Sequence, residues 1–136
     1  MPFWMARAAL SDVLETMGLH VMGIGENGFR HVTNSKREIA TPADMQGLKI
    51  RVAGSSVLME AYGAWGADYT TANWSEVYTG LQTGTYDGQE NPVPTMDSSQ
   101  IQEVQKYVTY WTGSYDCLFF TMNKKLYDSL DADLQK

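Results

Sequence analysis

The chain has 136 residues and a mass of 15.2 kDa, enough for one domain that removes about two-thirds of its unfolded surface from water. With 43% hydrophobic and 19% charged residues it reads as globular, and no run approaches the roughly 18 apolar residues of a membrane span. Sixteen acids against ten Lys and Arg leave a net charge of −6 without the basic face that nucleic acid demands, while a single cysteine, Cys117, and two histidines, His20 and His31, exclude an internal disulfide and argue against a zinc centre.

Residues 1–7 lack a basic segment before an apolar core and a small-residue cleavage site, so they do not read as a signal peptide. Leu10, Val13, Leu14 and Met17 then fall at i, i+3, i+4 and i+7, one face of an amphipathic helix, with Gly18 placed to cap it. Residues 19–24 read as a short strand, Gly25 to Gly28 as a turn, and 29–33 as a second strand. Thr41, Pro42 and Asp44 have the spacing of a helix start. Gly47 ends that turn, and 48–52 follow as a strand with Lys49 and Arg51 on one face.

Val57, Leu58, Ala61, Tyr62 and Trp65 line a helix opened by Ser55 or Ser56. Asn73 and Glu76 form a capping pair for the next helix, whose buried stripe is Trp74, Val77, Tyr78 and Leu81. Asp87-Gly88 marks a turn, and Pro92 and Pro94 predict an irregular segment after it. Residues 106–111 and 117–122 have strand character, which makes Cys117 a core thiol. Asn123 caps a short helix running to Leu130, and a fresh helical pattern opens at 131–136, as expected of a piece of something longer. Strands alternate with helices, so the fold class is α/β.

The charges are unevenly placed. From Val52 through Gln105 there is no Lys or Arg, yet the stretch holds Glu60, Asp68, Glu76, Asp87, Glu90, Asp97 and Glu103. Positive charge gathers upstream in Arg30, Lys36, Arg37, Lys49 and Arg51. Arg51 falls on an internal strand, where its planar fork suits a carboxylate. That carboxylate is either a ligand or one of the seven acids.

Gly47-Leu48-Lys49-Ile50-Arg51-Val52, then Trp74-Ser75-Glu76-Val77-Tyr78, Leu81-Gln82-Thr83-Gly84, Asp87-Gly88-Gln89-Glu90-Asn91-Pro92 and Glu103-Val104-Gln105-Lys106-Tyr107 carry a resemblance. In that order and spacing the chain resembles the DctP family, the extracytoplasmic solute receptors of tripartite ATP-independent periplasmic (TRAP) transporters. The resemblance implies one α/β lobe of a two-lobed periplasmic-binding-protein-like clamshell, with parts of the hinge and first lobe. It divides the chain into 1–27, a fragment of first lobe or hinge; 28–114, the second lobe with the carboxylate anchor; and 115–136, a hinge strand and the start of the return to the first lobe. It implies a periplasmic location, a small organic acid as ligand, and TRAP membrane subunits as partners, with no cofactor, no metal and no catalysis.

Residue by residue, the resemblance makes Arg51 the clamp on the ligand carboxylate and Asn91 an assistant at the same group. It makes Arg30 a second arginine of the site and Trp74 the aromatic flank. Each has a plainer reading beside it: an internal ion pair for Arg51, a turn amide for Asn91, a surface arginine for Arg30, and a core ring for Trp74. Two positions depart from the family pattern. Ala53 stands where members commonly have proline, and the histidine many carry near Thr112-Gly113-Ser114 is absent. Two other functions fit less of the sequence: a stand-alone module that dimerises through open strand edges, or a small hydrolase or lyase acting on an Arg51-bound acid with Glu90 as base.

Overall fold

The computed structural model describes residues 3–135, and of residues 3–9 the backbone. The chain divides into two compact units, one formed by residues 27–116 and the other by 3–26 with 117–135.

The 27–116 unit is built on a sheet whose strand order is β3-β2-β4-β1-β5. Its strands are β1 (Leu19–Asn34, entering this unit at Asn27), β2 (Lys49–Val52), β3 (Asp68–Thr71), β4 (Gly88–Pro92) and β5 (Tyr107–Thr109). β2 runs parallel to β3 and β4, whereas β1 is antiparallel to β4 and β5. Parallel neighbours need crossovers, and α2 (Ser56–Ala64) and α3 (Trp74–Thr83) supply them. The expected α/β alternation is therefore realised, and Arg51 lies on a strand flanked on both sides.

Strand alternation divides the sheet into two faces. Ile50 and Val52 of β2 and Val32 of β1 join Leu58 and Tyr62 of α2 in one apolar cluster, with Ile39, Met45, Leu48 and Ala67. Val77 and Leu81 of α3 join Met96 of α4 (Val93–Ser98) and Ile101 in a second cluster. Thr33 shares a cavity with Met96 and Ile101, so this second cluster covers the opposite face. Gly88 on β4 allows the closest strand approach: a Cβ there would sit 2.1 Å from the Thr33 carbonyl oxygen and 3.0 Å from Ile50 Cδ1.

Several local expectations hold. Asp44 accepts hydrogen bonds from the Thr41 N–H and hydroxyl at 2.8 and 2.9 Å, closing the 3-10 turn Pro42–Met45. Ser55 is the N-cap of α2, and the Trp74, Val77, Tyr78, Leu81 stripe of α3 packs in the second cluster. Gly84 ends α3 in the left-handed conformation at φ 77°.

Others are corrected. The turn expected at Gly25 to Gly28 is absent: β1 continues through it as one strand of 16 residues. Its second half pairs with β4 and β5 from Arg30 onward, and what remains of the turn signal is Gly28, at φ 109°. Val57 does not belong to the buried stripe of α2, being 73% exposed, because it lies about 100° around the helix from Leu58. Asn73 caps α3 without a side-chain bond; the Glu76 N–H donates to its backbone carbonyl instead. The segment after Pro92 is not irregular but forms α4, since a proline in the first turn gives up only an N–H that has no helical partner.

In the other unit, α1 (Phe3–Thr16) is followed by Gly18 at φ 80°, and the first half of β1 leads out of it. The strand β6 (Tyr115–Asn123) pairs with β1. Asn123 caps α5 (Lys124–Asp128) by accepting from the Leu126 N–H, and His20 stacks on Tyr127 at 3.7 Å. The face of α1 expected to be apolar is formed but open, with Leu10, Val13 and Met17 exposed, as are Leu118 and Phe120 of β6. Cys117 is half-buried rather than core. Residues 131–135 form a turn, not the expected helix, and Lys136 lies outside the described residues. Among the described residues no helix is long and apolar enough to cross a membrane.

The close approach at Gly88 generates a test. Gly88→Ala forces β4 and β1 apart, and overpacking of this kind costs about 1–3 kcal/mol. We expect urea unfolding to shift to lower denaturant by an amount at the upper end of that range, with the slope unchanged.

Candidate functional site

The site grows from the end of the sheet where β2 and β4 run out. In open α/β sheets this carboxyl end, next to a change in strand order, is where ligands reach the backbone without crossing the helices. Arg51 is the third residue of β2, and its register partner on β4 is Gln89. Asn91, two residues along β4, lies on the same face as Gln89.

Arg51 is buried, yet it has no carboxylate partner among the described residues. Its Nε and Nη2 both donate to the Ala72 carbonyl, at 3.1 and 2.7 Å. Its guanidinium carbon sits 5.5 Å from the centre of the Trp74 ring. Burial pulls the Arg51 pKa down, with the charge of Glu90 acting in the opposite direction. The ion-pair alternative raised for Arg51 is thus not what the structure contains. A cavity of about 570 Å³ opens beside it, lined by Arg51, Gly54, Thr71, Ala72, Trp74 and Glu76, with Asn73. Trp74 is half-buried, its ring N–H donating to Ser99 Oγ at 3.2 Å, which places it between core and cavity.

Arg30 has a different position. It is neither at the surface nor on that cavity: it is buried, and its donors are taken up by the protein. Nε and Nη2 form a fork on the Glu90 carboxylate, Nη2 also reaches Asn91 Oδ1 at 3.0 Å, and Nη1 bonds Asp116 Oδ2 at 2.7 Å. Burial alone lowers the Arg30 pKa, but the bonds and charge of Glu90 with those of Asp116 more than reverse this, and the net shift is upward. By register Arg30 and Glu90 share one face and Asn91 the other, so the guanidinium bridges the two faces at the end of β4.

Asn91 completes a polar row. Its Nδ2 donates to Gln89 Oε1 at 2.8 Å, and Gln89 Nε2 donates to Thr33 Oγ1 at 3.0 Å. Because arginine can only donate, Asn91 must turn its oxygen towards Arg30, which settles the orientation of both amides. Asn91 does not line the Arg51 cavity. Four candidates were expected together; Arg51 and Trp74 share a wall, while Arg30 and Asn91 share the neighbouring network.

Two further members of that network are Glu90, which the sequence offers only as a base or ion-pair candidate, and Asp116, which it does not single out. Glu90 is fully buried, and besides Arg30 its carboxylate accepts the Ala53 N–H at 2.9 Å. Asp116 accepts from Asn27 Nδ2 at 2.8 Å as well as from Arg30. The signal for Glu90 was its place between two strand residues in Gln89-Glu90-Asn91-Pro92; Asp116 gave none. His31 lies beside the network on β1, its Nδ1 accepting the Trp111 N–H at 3.3 Å, and both histidines fall on this one strand. Among the described residues no cluster of His, Cys, Asp and Glu could hold a metal.

Burial lowers the His31 pKa below its ordinary value near 6.5. The unfolded chain therefore takes up this proton first as pH falls, and stability declines from about pH 6.5 downward until the folded-state pKa is passed. We expect His31→Gln to flatten that part of the stability–pH curve, measured as thermal midpoints between pH 7.5 and 5.

Residues 3–136 match the bacterial extracellular solute-binding proteins of family 7, DctP. A solute-binding protein of Verminephrobacter eiseniae is 44% identical over 115 residues, covering 85% of this chain and 34% of its own length. The 2,3-diketo-L-gulonate-binding periplasmic protein of Escherichia coli is 41% identical over 127 residues, covering 93% and 39%. Among solved structures, a TRAP periplasmic solute-binding protein of Ralstonia eutropha with bound (S)-2-acetolactate superposes with a TM-score of 0.89 at 38% identity, over 93% of this chain and 40% of that one. One from Sulfitobacter with bound β-D-galacturonate gives 0.91 at 34% identity, over 94% and 43%. The chain thus spans about two-fifths of the length of these relatives, and its mixed α/β sheet is the one they contain. With the family matched over nearly every residue and the fold shared at these identities, the chain belongs to the DctP family, family 7 of the bacterial extracellular solute-binding proteins.

Proposed function

We propose that this chain supplies the carboxylate-anchoring lobe of a periplasmic receptor, which captures a small organic acid and delivers it to a TRAP-type membrane transporter. The observation that carries this is Arg51: a buried guanidinium on an internal strand, bonded to a carbonyl and a ring face but to no acid, beside an open cavity. A buried cation without a counter-ion is costly, and an incoming carboxylate removes that cost. Asn91 supplies an amide donor at the same end of the sheet, Trp74 the flanking ring, and Arg30 acts from behind by holding Asn91.

The compact 27–116 unit supports reading 28–114 as the anchoring lobe, with 1–27 and 115–136 as hinge and first-lobe segments. The open apolar faces of α1 and β6 suit elements that pack against further chain. Closure of a second lobe would expel water from the Arg51 pair and strengthen it. The base considered for an enzyme at this site is already engaged, because Glu90 is fully buried with its carboxylate bound to Arg30 and the Ala53 N–H.

Calorimetric titration of the full product of the native reading frame tests the reading. The acids are 2,3-diketo-L-gulonate, D-galacturonate, galactonate, D-erythronate, (S)-2-acetolactate and succinate, which relatives and neighbours bind. The native protein should bind at least one. Breaking a desolvated ion pair costs about 3–5 kcal/mol, so Arg51→Ala should weaken that acid at least about a hundredfold. Arg51→Lys should still lose about tenfold, since it keeps the charge without the fork. Unchanged binding by Arg51→Ala overturns the assignment.

A further inference from the structure

Resting on the reading of Arg51 and Asn91 as the carboxylate site, we propose that Asp116 is a positioning residue for that site. With Asn27 it holds Arg30 in place, and Arg30 in turn fixes the amide of Asn91 in the orientation that offers an N–H to the ligand.

The bonds form one continuous path. Asp116 Oδ2 accepts from Asn27 Nδ2 at 2.8 Å and from Arg30 Nη1 at 2.7 Å, and Asn27 Oδ1 accepts from Thr95 Oγ1 at 3.2 Å. Arg30 Nη2 then donates to Asn91 Oδ1 at 3.0 Å. Arginine has no acceptor, so this contact admits only the Asn91 oxygen, and the Asn91 NH₂ is turned the other way. One of its hydrogens goes to Gln89 Oε1, and the second has no acceptor among the described residues. That second hydrogen is the donor available to a carboxylate.

Position and charge single out Asp116. Asn27 and Asp116 are the first and last residues of the 27–116 unit, so their hydrogen bond ties together the two places where the chain passes through its boundary. Glu90 grips Arg30 from one side only, through Nε and Nη2. Without Asp116 the Nη1 edge is free and the guanidinium can swing about the Glu90 fork, taking Asn91 Oδ1 with it. Asp116 itself is no part of the cavity beside Arg51, and of its two side-chain partners, Arg30 and Asn27, it is Arg30 that reaches Asn91.

A double-mutant cycle in the full product of the native reading frame tests this, using whichever acid of the panel above binds most tightly. Asp116→Ala should weaken binding about tenfold in the native background and less than about twofold once Asn91 is Ala, because the group it positions is then gone. Asp116→Asn, which keeps the shape but not the charge, should fall between the native protein and Asp116→Ala. Circular dichroism and the unliganded thermal midpoint confirm that each variant is folded; a variant that fails to fold leaves Asp116→Asn to carry the cycle. Equal losses in both backgrounds, or none in the native one, overturn the proposal. Arg51→Ala run alongside reports separately on the site: normal binding by that variant overturns the anchor, while the coupling between Asp116 and Asn91 is read independently. A native protein that binds no acid of the panel overturns both.

Discussion

Glu90 is the constraint around which this end of the sheet is arranged. A fully buried carboxylate has to be met by donors, and Arg30 together with the Ala53 N–H meets it. Asp116 also spends its charge on Arg30. Both acids of this network are therefore attached to one arginine, and the other, Arg51, rests on a neutral carbonyl and a ring. Satisfying the charge of Glu90 and Asp116 through Arg30 is what leaves Arg51 without an acidic partner, as the proposed anchor requires.

The two arginines are separated by strand geometry as much as by charge. Arg51 falls on the face of Gln89 and Asn91, Arg30 on that of Val32 and Glu90. Each face carries its own apolar cluster, so neither guanidinium can slide across the sheet to exchange partners. Contact between the two systems is confined to the strand end, where Arg30 reaches Asn91. The polar row Thr33, Gln89, Asn91 then extends the consequence of that single contact along β4 and β1.

Much of this was legible beforehand, and the failures have definite causes. The Lys49-Ile50-Arg51-Val52 alternation and the helical stripes around Tyr62 and Val77 are local patterns, and the structure keeps them. Propensity misled where pairing or position decided: Gly25 to Gly28 stay within β1, with Gly28 at φ 109°, instead of reversing the chain, and Pro94 is accommodated in a helix because it falls in the first turn. The site was half legible. The shared cavity wall of Arg51 and Trp74 follows from strand and helix position, whereas the sequence offers Arg30 only as a surface or ligand arginine. Its true surroundings depend on Glu90 and Asp116, 60 and 86 residues away, and no periodicity connects such positions.

An unpaired buried arginine lowers the stability of the free protein, and the fold limits that loss without removing it. The Ala72 carbonyl accepts two N–H groups and the Trp74 face adds a cation–π contact worth about 1 kcal/mol, neither of which matches an ionised partner. Partial compensation would suit the proposed receptor better than full compensation. A carboxylate from within the chain would compete with the ligand at every encounter, and no compensation at all would leave the fork disordered and its ordering entropy to be met on binding. Holding Arg51 by one edge on a carbonyl keeps it in place and keeps its charge unspent, which is the condition the proposed anchor has to meet.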